Sequence, residues 1–143
     1  MTAGAPSCLA DIDVAVLAGG LGTRVRGVLG GTPKVLAPVA GRVVARDGAA
    51  VGERLLDQLA GFGARRVLLC LGHLADRVID HLGARPADAE PRVDWVVEPE
   101  PLGTGGAFHL AAPRLHSDPV MFMNGDTWLD LDACAFLAWF RET

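Results

Sequence analysis

Val16-Leu17-Ala18-Gly19-Gly20-Leu21-Gly22-Thr23-Arg24-Val25-Arg26, followed by Thr32-Pro33-Lys34, is the stretch that decides how this chain folds. The apolar run from Ile12 to Ala18 predicts a buried strand, and the glycines that follow stop it. Glycines directly after a strand let the backbone approach an anion and aim several N–H groups at it. Lys34 is the one lysine among 13 basic residues. Its compact ammonium on a flexible stem meets a phosphate differently from the planar fork of an arginine. Two familiar phosphate loops are excluded. A Walker A loop needs Gly-x-x-x-x-Gly-Lys, but here the lysine follows a proline. A dinucleotide fingerprint needs Gly-x-Gly-x-x-Gly, and Gly20-Leu21-Gly22-Thr23-Arg24-Val25 ends in valine.

Outward from this loop, apolar runs alternate with helical spacings. Helices are expected over 52–62, 74–82, 103–115 and 130–141, the last capped by Asp130 or Asp132. Buried strands are expected over 66–71, 93–98 and 120–123. Strand and helix alternate four times, which predicts an α/β fold: a Rossmann-like three-layer α/β/α sandwich around a mostly parallel sheet. In such sheets ligands bind at the carboxyl ends of the strands. Three segments with chemical character fall there: Gly19 to Arg26, Glu98 to Gly106, and Asn124 to Asp126. The chain reads as one domain, residues 1–143, with residues 1–10 as a loose tail. Segment 32–48 is less regular.

The 143 residues carry a net charge of −4, with a sequence pI near 5.4. No basic surplus points to nucleic acid or an anionic membrane, so any phosphate binding is local. No apolar run is long enough to span a bilayer, and no signal-peptide pattern opens the chain. Three cysteines, odd in number and widely spaced, suggest reduced thiols in a cytoplasmic protein, with Cys70 in the core. The four histidines show no ligand spacing. Trp128 faces either the core or a ligand.

Three ordered motifs resemble the sugar-1-phosphate nucleotidyltransferases. The first is Leu17-Ala18-Gly19-Gly20-Leu21-Gly22-Thr23-Arg24-Val25 with Pro33-Lys34. The second is Glu98-Pro99-Glu100-Pro101-Leu102-Gly103-Thr104-Gly105-Gly106-Ala107. The third is Met123-Asn124-Gly125-Asp126-Thr127-Trp128. The second is most similar to enzymes that activate heptose 1-phosphate or mannose 1-phosphate with GTP. The third is also similar to N-acetylmuramate-1-phosphate uridylyltransferases.

The resemblance implies the nucleotide-diphospho-sugar transferase fold, with a nucleoside triphosphate and a sugar 1-phosphate as substrates and Mg²⁺ as cofactor. It implies catalytic roles for Arg24, Lys34 and Asp126. Arg24 would hold the β- and γ-phosphates, Lys34 would reach the reacting centre, and Asp126 would bind the metal. Asp126 also has a plainer reading, as the aspartate of an Asn-Gly-Asp turn. Leu17, Ala18, Gly19, Gly20, Gly22, Thr23, Glu98, Glu100, Pro101, Gly103 and Thr104 would line the nucleotide. Arg26 is as readily a surface arginine as a phosphate ligand.

One of Glu98 and Glu100 is expected to read guanine, because a carboxylate accepts both adjacent donors of that base. Set beside the family, the chain is expected to be its N-terminal part only, without the sugar-binding C-terminal part and with an insertion at Arg42 to Gly48. A complementing C-terminal half and a homo-oligomer are the protein partners left open. A truncated, non-catalytic nucleotide-binding module is the alternative class. A glycosyltransferase of related fold is disfavoured, since Asn124-Gly125-Asp126 offers one carboxylate where a DxD pair would be expected.

Overall fold

A computed structural model of the chain describes residues 6–19, 51–125, 127 and 129–143. The described elements alternate as expected. β1 (Asp13–Leu17) is followed by α1 (Val51–Gly61), β2 (Arg66–Leu71), α2 (Ala75–Gly83) and β3 (Arg92–Val97). Then come α3 (Gly103–Ala111), a short 3-10 turn (Ala112–Arg114), β4 (Val120–Asn124) and α4 (Ala133–Glu142). The single helix expected over 103–115 thus tightens into 3-10 geometry after Ala111, where Pro113 cannot donate to a continuing α-helical ladder. α4 starts at Ala133 because Asp132 caps it, accepting from the N–H groups of Cys134 and Ala135 at 3.0 Å each.

The four strands are parallel and ordered β3-β2-β1-β4. Alternation along each strand sorts the side chains onto two faces. Val14 and Val16 of β1, Val67, Leu69 and Leu71 of β2, and Met121 and Met123 of β4 face one layer. There they meet Leu55, Leu56 and Leu59 of α1, Ala75 and Val78 of α2, and Ala133 and Leu137 of α4. Leu68, Cys70, Val96 and Phe122 face the other layer and meet Ala107 and Ala111 of α3. Phe108 of α3 meets Phe122 edge to face, with ring centroids 5.0 Å apart. The layers follow from the connections. The chain steps from β1 outward to β3 and then returns past β1 to β4, so a right-handed crossover puts α3 on the opposite face from α1 and α2. This is the α/β/α arrangement read from the sequence.

Two expectations fail. Residues 6–10 are not a loose tail. Leu9 is fully buried in the core of the α1 face, and its N–H donates to the Phe62 carbonyl at 3.1 Å. A short polar-looking segment needs only one well-seated leucine to lose its freedom. Nor are all three cysteines reduced. Cys8 and Cys134 form a disulfide across 126 residues of sequence, with Cα atoms 5.6 Å apart. Wide spacing along the chain says nothing of distance in space. Here the N-terminal segment and the first turn of α4 pack on the same core, and the cysteine count is no guide to compartment. Cys70 is free and buried as expected. Among the described residues no helix is long and apolar enough to cross a membrane.

Candidate functional site

The return of the chain past β1 creates a topological switch point between β1 and β4, and a crevice forms outside the carboxyl ends of such strands. The first and third motifs leave from these two strands. Leu17, the last residue of β1, is in register with Cys70 on one side and Asn124 on the other. Beyond it Ala18 donates its N–H to the Cys70 carbonyl at 2.9 Å, so the pairing of β1 with β2 continues into the start of the glycine loop. On the β4 side the Gly125 N–H donates to the Leu17 carbonyl at 2.7 Å. A Cβ on Gly125 would lie 2.7 Å from that oxygen and 2.9 Å from a Val16 methyl, so only glycine fits.

The second motif joins the first through Glu98. Its N–H donates to the Leu71 carbonyl at 2.8 Å, which ties the first residue after β3 to the end of β2. Its carboxylate lies over a pair of glycines. A Cβ built on Gly19 would be 3.2 Å from Glu98 Oε2 and 3.1 Å from the Gly72 nitrogen. A Cβ built on Gly72 would be 3.2 Å from the same carboxylate oxygen and 2.9 Å from the Gly19 carbonyl. Two missing side chains thus make the space that seats one carboxylate just beyond the ends of β1 and β2. Gly72 was not among the expected site residues. Its signal was present, a glycine directly after a buried strand, but its role depends on Gly19 lying beside it. The turn that follows is sharp, with Leu74 in the left-handed region at φ 60°. His73 in that turn is exposed.

Burial raises the Glu98 carboxyl above its ordinary 4.5. Beneath it, burial and then the Glu98 charge push the Cys70 thiol up to about 11, so Cys70 stays a neutral packing group. Glu100 and Pro101 are exposed, as are Gly103 and Thr104 at the start of α3. Gly103 has φ 72°, a conformation that favours glycine, where the chain turns into that helix. Of the expected nucleotide-lining residues, the fold brings Leu17, Ala18, Gly19 and Glu98 together. Gly20, Gly22, Thr23, Arg24, Lys34 and Asp126 lie outside the described residues, as do Arg26, Trp128 and the 42–48 insertion. Among the described residues no group of three or more His, Cys, Asp or Glu side chains could hold a metal ion.

A Gly72→Ala protein tests the seat. Its Cβ meets backbone, which yields less readily than a flexible side chain, so a stability loss of about 1–3 kcal/mol is expected in chemical denaturation. An alanine variant as stable as the parent would show that the two loops do not press on each other.

The family model of the MobA-like NTP transferase domain matches residues 14–139. The chain belongs to that family. The match runs from β1 into α4 and so takes in the whole sheet. This NTP transferase domain is 34% identical over 116 residues to the bifunctional protein GlmU of Cellvibrio japonicus, covering 80% of the chain and 22% of that protein. Its fold superposes on HddC from Yersinia pseudotuberculosis with a TM-score of 0.75 and 37% identity, covering 90% of the chain and 53% of HddC. HddC complexed with GMP-PN superposes with a TM-score of 0.74 and 36% identity. A UDP-glucose pyrophosphorylase from Acinetobacter baumannii shares the fold at 17% identity and a TM-score of 0.71. The domain therefore spans about a fifth of GlmU and about half of HddC.

Proposed function

We propose that this domain binds the nucleotide of a sugar-1-phosphate nucleotidyltransferase. The enzyme would join GTP to a sugar 1-phosphate of the heptose or mannose type and release pyrophosphate, in the cytoplasm, for glycan precursors. The observation that carries this reading is the Glu98 carboxylate seated over Gly19 and Gly72, where the glycine loop leaves β1. Guanine offers N1–H and N2–H₂ side by side, and a carboxylate accepts both. Glu98 rather than Glu100 is assigned as that acceptor, because Glu98 adjoins the loop and Glu100 is exposed. The 36% identity to HddC, solved with a guanine nucleotide, supports the preference.

The chemistry asks for electrostatics rather than a base. A phosphate monoester has its second pKa at about 6, so the sugar phosphate is already an anionic nucleophile at neutral pH. The backbone N–H groups from Gly19 to Thr23 hold the triphosphate, and Arg24 neutralises the leaving pyrophosphate. Lys34 neutralises the phosphates at the reacting centre. These groups orient two polyanions and hold charge as the bond changes. Asp126 follows β4 within two residues of its end, and a carboxylate there suits a hard cation. Bound Mg²⁺ would add charge neutralisation at the same phosphates.

Pyrophosphate release from GTP with mannose 1-phosphate or heptose 1-phosphate tests the reaction. Binding of GTP without pyrophosphate release would favour a non-catalytic nucleotide-binding module, and release from UTP alone would favour a uridylyltransferase. A Glu98→Gln variant tests the base reader, since its amide sets a donor against one guanine donor. It is expected to bind GTP about 10–100-fold more weakly, while Glu100→Gln changes little.

The same variant has a pH signature. A carboxyl whose folded pKa is raised favours the fold most below its unfolded pKa. That contribution is lost as pH rises from the ordinary carboxylate value through the raised one. Glu98→Gln removes the loss. Its melting temperature should match the parent below pH ~4 and slightly exceed it at pH 7. A variant less stable than the parent at pH 7 would overturn this.

A further inference from the structure

The Cys8–Cys134 bond joins two segments that other contacts already hold side by side. Leu9, next to Cys8, is fully buried, and Ala133 and Leu137 of α4 lie in the same apolar cluster. Opening the bond would leave both sulfurs near each other. Both cysteines are half-buried, within reach of a small thiol or disulfide, whereas Cys70 is 1% exposed and its thiol is held neutral.

α4 has few other anchors. Of its residues only Ala133 and Leu137 are buried, while Phe136, Trp139 and Phe140 are exposed. Phe136 and Trp139 stack on each other, with centroids 6.1 Å apart. Just upstream, Gln58 Nε2 of α1 donates to the Leu129 carbonyl at 2.8 Å. A helix with two buried side chains opens locally at low cost, so a covalent tie in its first turn is a large share of what holds it.

We propose that Cys8 and Cys134 form a reversible thiol–disulfide couple that sets how firmly α4 is held against the sheet. In the reduced chain one cysteine thiolate attacks a low-molecular-weight disulfide such as oxidised glutathione, giving a mixed disulfide and one released thiol. The second cysteine thiolate then displaces the other thiol and closes the Cys8–Cys134 bond. Two protein thiols are oxidised, one small disulfide is reduced to two thiols, and the protons balance. Excess small thiol runs the exchange backwards and loosens α4, which its buried Ala133 and Leu137 still hold.

The test uses the full chain equilibrated in glutathione buffers from oxidising to reducing. Thiols counted after denaturation are expected to rise from one to three. Over the same change, amide hydrogen exchange in peptides from 129–143 is expected to speed up at least ~10-fold, with β1 and β2 peptides little changed. The melting temperature is expected to fall on the order of 10 °C, since the bond closes a long loop. Cys8→Ser and Cys134→Ser should each behave as the reduced chain in every buffer. A constant thiol count across the series would overturn the couple. Equal α4 exchange in both states would overturn the clamp, as would a serine variant whose α4 still responds to the buffer.

Discussion

An Asp13→Ala protein is expected to melt on the order of 10 °C below the parent, a loss of about 2–4 kcal/mol. Asp13 opens β1 and is only 4% exposed. Its carboxylate accepts from the Arg66 guanidinium, from the His116 N–H at 2.6 Å and from the Ser117 N–H at 3.2 Å. The Asp13 N–H in turn donates to Ser117 Oγ at 2.7 Å, and that hydroxyl donates to the Pro119 carbonyl at 2.7 Å. The network pins the amino end of β1 to β2 and to the turn before β4, and it sets the register in which Asp13 lies opposite Val120. Alanine leaves the His116 and Ser117 N–H groups without their acceptor, and that penalty dominates, because the half-exposed Arg66 guanidinium can turn to water. Asn keeps one acceptor and should lose less. Because the network lies at the amino end of the sheet, nucleotide affinity of the folded protein should not change. Calorimetry checks the stability: a drop of less than ~2 °C would mean that the turn re-forms its bonds without the carboxylate.

The second large effect is on binding. On the function proposed above, Lys34→Ala should weaken Mg–GTP binding about 10–100-fold, as expected for losing one charge-assisted contact of about 1.5–3 kcal/mol. Lys34→Arg separates charge from shape. An ammonium reaches a phosphate as a point charge, whereas a guanidinium needs room for its plane. The arginine variant is expected to recover part of the binding and less of any turnover. Full recovery of both would show that this position asks only for a positive charge. Isothermal titration of the two variants against the parent gives the measurement. The expectation rests on the Pro33-Lys34 motif, since Lys34 lies outside the described residues.

Much of this site is legible in the sequence. Gly19 reads as the start of a phosphate loop because it directly follows the apolar run Val14 to Ala18. The Glu98 and Asn124-Gly125 segments read as its companions because each also follows a strand. Such local signals survive folding because a buried parallel strand must be apolar and the turn at its end must be small and polar. What the sequence left open is which of the two glutamates lies against Gly19. Glu98 and Glu100 are two residues apart and chemically alike. Only the hydrogen bond from the Glu98 N–H to Leu71, and the space over Gly19 and Gly72, separate them.

The failures have the same root. Leu9 and Cys8 sit in a segment without periodicity, so no local rule predicts that Leu9 fills the core or that Cys8 meets Cys134. Asp13 carried no expectation, because its acceptor role exists only once Arg66 and the 116–117 turn surround it.

By itself the sequence determined the alternation of strands and helices and the family to which the chain belongs. These depend on residue order over short spans, where periodicity and turn chemistry act directly. Tertiary structure alone decided the order β3-β2-β1-β4, the switch point beside β1, the pairing of Cys8 with Cys134 and the seat of the Glu98 carboxylate beside Gly19 and Gly72. Each of these is a meeting of residues from different elements, which no local pattern encodes. It is settled only when the two faces of the sheet are covered and every buried polar group has found its partner.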